Sequence, residues 1–117
     1  MKIITHKPGK KAAQGDVLFH AIAALPDGLT PQTATKGEFV VAHSETGHNH
    51  VVLERPGVTY FSAMDAFRAY LVVDDTPAKV EHQRSFDTHE SFALAPGIWE
   101  VRRQREHTAE GFRRAAD

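Results

Sequence analysis

Apolar and polar residues alternate in short stretches along most of the chain, and a period of two is that of half-buried β-strands. Residues 16–22 place Val17, Phe19 and Ala21 on one face and Asp16, Leu18 and His20 on the other. Residues 2–7 are β-branched at Ile3, Ile4 and Thr5 and stop at the Pro8-Gly9 turn. Residues 67–73 carry apolar side chains on both faces, which predicts a central strand. Further strands are predicted at 38–43, 51–54, 58–61, 78–82, 91–94 and 98–105. Residues 44–47 have the character of a glycine-ended hairpin turn, and Pro56-Gly57 and Pro96-Gly97 mark two more turns. Residues 25–37 hold two Pro, two Gly and three Thr and read as a long irregular connection. Helix is expected only as short turns, at 62–69 and after Thr108. Turn signals recur about every ten residues, the spacing of a small all-β barrel or a jelly-roll-like sandwich.

The chain has 117 residues, enough for one β domain over 1–117 with a single core. The longest apolar run, Tyr70-Leu71-Val72-Val73, is far short of the roughly 20 residues that span a bilayer as a helix. A soluble, cytoplasmic protein without a membrane partner is the expectation. Cysteine is absent, which excludes disulfides, thiolate catalysis and cysteine-based zinc or iron–sulfur sites. The net charge of -1 is unevenly spread: +4 over residues 1–11, -6 over 12–98 and +1 over 99–117. The four lysines of residues 1–11 predict a mobile, solubilising end, and 107–117 a tail.

Histidine changes the picture. There are eight, and His43, His48, His50, His82 and His89 lie within the acidic middle of the chain, which suits a bound cation. On a strand, His48, His50, Val52 and Glu54 share a face. Two imidazoles two residues apart converge on one ion, and a carboxylate further along would close the shell. His82 and His89 are the candidates for a remaining donor. Nitrogen and oxygen donors without sulfur select Zn, Mn, Fe, Ni or Co. With an open coordination position, such an ion would polarise a carbonyl or activate water, with Glu45 or Glu90 as general base. The competing interpretation is that these are surface or hydrogen-bonded core histidines.

The order Gly47, His48, His50, Glu54, with a later histidine near a Pro-Gly turn, resembles the first motif of the cupins. Cupins are metal-binding jelly-roll barrels, so the resemblance implies a cupin-like fold. It also implies ligation by His48, His50 and Glu54, with His82 or His89 as fourth ligand. This resemblance covers residues 47–57. A broader pattern begins at Gly15-Asp16-Val17 and includes residues 45–50, Tyr70-Leu71-Val72-Val73, His82, His89 and residues 94–106. It is similar to small uncharacterised proteins of bacteria and phages, and implies a histidine site without naming a reaction.

Arg102, Arg103 and Arg105 have the density of a phosphate grip for RNA or DNA, or of a charged edge strand that resists pairing. Three functions follow. A metal-binding β-barrel protein, enzymatic if its site is open, comes first. A non-enzymatic, phage-associated interaction module is the alternative, and a nucleic-acid-binding β domain the third. The partner is a small molecule or a protein, and exposed strand edges suit a homodimer.

Overall fold

In the computed structural model the described residues are 2–42, 49–82 and 91–103, with His82 described by its backbone. They form eleven strands, and no helix is present among them. These are β1 (Lys2–Ile4), β2 (Lys11–Gln14), β3 (Val17–Ile22), β4 (Thr30–Pro31), β5 (Glu38–Ala42) and β6 (His50–Leu53). They continue with β7 (Val58–Ser62), β8 (Arg68–Val73), β9 (Ala78–His82), β10 (Phe92–Leu94) and β11 (Gly97–Arg103). A five-stranded sheet runs β1-β10-β9-β6-β5 and a six-stranded sheet β2-β3-β11-β8-β7-β4. The two sheets are not closed into a barrel. They pack as a sandwich, because one apolar cluster draws on both.

The alternation read from residues 16–22 holds residue by residue. Val17, Phe19 and Ala21 are buried, while Leu18, His20 and Ile22 face outward and are half-buried. Trp99 and Val101 of β11 and Ala69, Leu71 and Val73 of β8 complete this inner face. The opposing sheet supplies Ile4, Phe39, Val52, Ala78, Val80, Phe92 and Leu94. β8 lies between β11 and β7, inside its sheet, as its apolar character on both faces predicts.

The structure departs from the sequence reading in several places. Residues 2–4 form the strand expected within 2–7, parallel to β10 and burying Ile4. This part of the lysine-rich end is thus ordered and not the mobile end expected, because two β-branched residues there outweigh the flanking lysines. β2 and β4 were not predicted. β2 has only Ala12 and Gln14 facing the core, too small a signal, and β4 is two residues inside a Pro- and Thr-rich connection. Residues 63–67 form bends and a turn instead of helix, with Asp65 Oδ1 accepting from the Phe67 amide at 2.9 Å. Phe61, next to the buried Tyr60, lies half-buried opposite Tyr70 on the outer face. The tail, 107–117, lies outside the described residues. No helix among the described residues is long and apolar enough to cross a membrane.

Candidate functional site

Three polar residues are buried among the described ones: Gln14, His50 and Glu100. A buried polar group needs a partner, so these positions locate the polar chemistry of the fold. Two of the three are bonded to each other. His50 opens β6 in one sheet, and Gln14 ends β2 in the other, ahead of the Gly15-Asp16 turn into β3. His50 Nδ1–H donates to Gln14 Oε1 at 2.8 Å, out of water. The carbonyl oxygen can only accept, so this bond puts the proton on Nδ1 and leaves Nε2 as the basic nitrogen. Nε2 faces Asp16 Oδ1 at 4.0 Å, and the Asp16 side chain is 76% exposed. Gly15 makes this approach possible. It has φ +62°, and a Cβ there would meet His50 Cε1 at 3.2 Å.

Strand register sets what lies beside His50. Ala42 of β5 is opposite it on one side and His82 of β9 on the other. Glu54 is elsewhere: it follows the end of β6, is exposed, and its amide donates to Gly37 O at 2.8 Å. Four strand residues span roughly 13 Å, so Glu54 is not beside His50. Of the remaining predicted ligands, His48 and His89 lie outside the described residues, as do the base candidates Glu45 and Glu90. Among the described residues, no group of three or more His, Asp or Glu is placed to hold a metal ion.

The second polar centre is on the outer face of the six-stranded sheet. Register aligns His20 of β3, Glu100 of β11 and Tyr70 of β8 in one row. Tyr70 O–H donates to Glu100 Oε2 at 3.0 Å, and His20 Nδ1 lies 3.4 Å from Oε1. Arg102 Nε donates to Oε1 at 2.8 Å, with Arg68 Nη1 3.9 Å from Oε2. Burial pushes the Glu100 carboxyl up, but its hydrogen bonds from Tyr70, His20 and Arg102 outweigh burial and hold it below the usual carboxylate range. Burial, then the hydrogen bond and charge of Glu100, raise the Tyr70 hydroxyl. These partners occupy both carboxylate oxygens, so Glu100 organises the sheet face. Sequence inspection singled out neither Glu100 nor Tyr70, because strand alternation does not reveal which strand lies next to which.

The arginines of β11 divide between the two faces. Arg102 points outward to Glu100, and Arg103 turns to the core side. Arg103 donates to Val41 O, to Ala66 O at 2.7 Å and to Tyr60 Oη at 2.8 Å. Arg103 is thus engaged in closing one end of the sandwich. Arg105 lies outside the described residues.

A family model described as a domain of unknown function, DUF8820, matches residues 13–104. That span agrees with the broad resemblance to uncharacterised proteins from residue 15 onward, and no cupin model matches. No curated protein and no solved structure matches the chain.

Proposed function

This chain belongs to the DUF8820 family, and we propose that it binds one divalent transition-metal ion at the end of the sandwich where His50, Asp16 and the His82 position meet. The observation that carries this reading is the orientation of His50. An imidazole whose Nδ1–H is held by an amide oxygen has its tautomer and ring plane set for ligation through Nε2, the usual arrangement of a metal-bound histidine. The Asp16 carboxylate is the second donor. Two donors about 2.1 Å from one tetrahedral ion lie roughly 3.4 Å apart, and His50 Nε2 and Asp16 Oδ1 are 4.0 Å apart. The exposed Asp16 side chain closes that difference by a small rotation.

Further donors come from the histidines named by the sequence. His82 is in register with His50. His48 lies on the connection from Ala42 to Asn49, and His89 on that from His82 to Ser91, so both connections leave from the strand row that contains His50. Of the cupin-like set this reading uses His48 and His50, not Glu54. Imidazole and carboxylate donors suit Zn, Mn, Fe or Ni.

The test is elemental analysis of protein purified without a metal-affinity tag, followed by calorimetric titration of the chelated full chain with Zn²⁺. One ion per chain is expected, with binding about tenfold weaker in Asp16→Asn and abolished in the His48→Ala/His50→Ala double variant. Absence of binding, or equal binding in both variants, overturns the proposal.

A further inference from the structure

Strands β1 and β2 are the terminal strands of different sheets, and they lie on either side of one cleft. The cleft has a volume of about 220 Å³ and is lined by Lys2, Ile3, Ile4, Lys10, Lys11 and Phe92, among others. Its floor is apolar, since Ile4 and Phe92 belong to the core, and its rim is cationic. Among the described residues no ladder joins β1 to β2.

Hydrogen-bond phase shows which backbone groups face the opening. Ala95 N donates to Ile4 O. Strand residues direct their amide and carbonyl groups alternately to the two sides, so those of Ile3 point away from β10. On the other wall, Ala21 N donates to Lys10 O, and Gln14 pairs with Val17 across a two-residue turn. By the same alternation, Lys11 and Ala13 direct their N–H and C=O away from β3, along an edge of β2 that no described strand covers. Lys2, Ile3, Lys11 and Ala13 are all exposed, and among the described residues Ile3 is one of two large apolar side chains that are.

These features decide the occupant. A free edge takes an added strand, and alternate side chains of that strand supply the selectivity. Residues 1–11 hold four lysines and no acid, so a second copy offering the same edge is repelled. A strand bearing carboxylates removes the repulsion, and its other face needs apolar side chains to meet the floor of Ile4 and Phe92. We propose that the cleft binds an extended acidic segment of another protein as an added strand on β2. Its carboxylates lie at Lys2, Lys10 and Lys11, and its apolar residues over Ile4 and Phe92. This site is independent of the cation site, which involves neither β1 nor these lysines.

The test is fluorescence anisotropy with the full chain and a labelled octapeptide of alternating Glu and Val. A second peptide has the same charge but Pro at two central Val positions, and an oligothymidylate serves as competitor. The expected result is salt-sensitive binding of the first peptide and about tenfold weaker binding of the Pro-containing one, which cannot form the ladder. Lys10→Glu with Lys11→Glu is expected to weaken binding by about tenfold or more. Ala13→Pro removes an outward-facing N–H, which an edge strand tolerates, so its melting curve stays close to that of the parent while peptide affinity falls. Three results would each overturn the proposal. They are no binding, equal binding of both peptides, and displacement of the peptide by a more tightly bound oligothymidylate.

Discussion

His50 and Gln14, 36 residues apart in sequence and on different sheets, are joined by a 2.8 Å hydrogen bond sealed from water. This bond ties the β2–β3 hairpin to the start of β6, and so links the two sheets by a directional contact within an otherwise apolar interface. Replacing Gln14 by Leu leaves the His50 Nδ1–H without this acceptor. The expected loss of stability is about 1–3 kcal/mol in urea unfolding, the cost of a buried unpaired polar group. A loss near zero would show that His50 finds another partner equally well.

Glu100 makes the fold sensitive to acid. Its carboxyl is held below its ordinary value of 4.5, so ionised Glu100 stabilises the native state above the unfolded-state titration. That contribution disappears as pH falls through the folded-state value. Glu100→Gln should therefore cost roughly 1–3 kcal/mol at neutral pH. The gap between variant and parent should narrow as pH falls below the ordinary carboxylate range and through the lowered folded-state value, where the parent's carboxyl is also protonated. Chemical unfolding of both proteins across this range measures it, and a pH-independent gap would contradict the assignment.

Arg103 and Tyr60 predict an alkaline effect. Burial raises the Tyr60 hydroxyl above 10.0, while the charge and hydrogen bond of Arg103 lower it. Arg103→Met removes the lowering influence, so Tyr60 should titrate at a still higher pH in ultraviolet absorbance. A group with a raised folded-state value contributes stability that is complete below its unfolded value and lost as pH rises. Stability of the variant should accordingly fall more on the alkaline side than that of the parent. At neutral pH the buried Val41 carbonyl, left without this donor, should cost about 1–3 kcal/mol, while the exposed Ala66 carbonyl turns to water.

Gly97 and His6 should be energetically coupled. Gly97 has φ +144°, and a Cβ there would overlap the His6 ring. The ring stands edge-on to Trp99, with centroids 5.1 Å apart, and its Nε2 donates to Ile98 O at 2.8 Å. Gly97→Ala is expected to cost about 2–3 kcal/mol from backbone strain and overlap together. In a His6→Ala background the same change should cost less, since only the strain remains. Equal costs in the two backgrounds, measured by thermal unfolding, would rule out the coupling.

Much of this architecture was legible in the chain itself. The faces of β3 followed from Val17, Phe19 and Ala21, and the central place of β8 from its apolar character on both sides, because strand side chains alternate strictly. Of the candidate metal ligands, the placement of His50 was legible and that of Glu54 was not. His50 faces the other sheet, whereas Glu54, sharing its face by period, follows the end of β6, is exposed and donates its amide to Gly37.

Local alternation thus determined the all-β class, most strand positions and which residues enter the core. Only the tertiary structure decided who meets whom: Gln14 with His50, and His20 and Tyr70 with Glu100, 80 and 30 residues away. The same holds for the facing edges of β1 and β2. The physical reason is that alternation is a property of one strand, whereas these contacts depend on strand order and register. Those are set by the joint burial of Phe19, Leu71, Trp99 and their neighbours from distant parts of the chain.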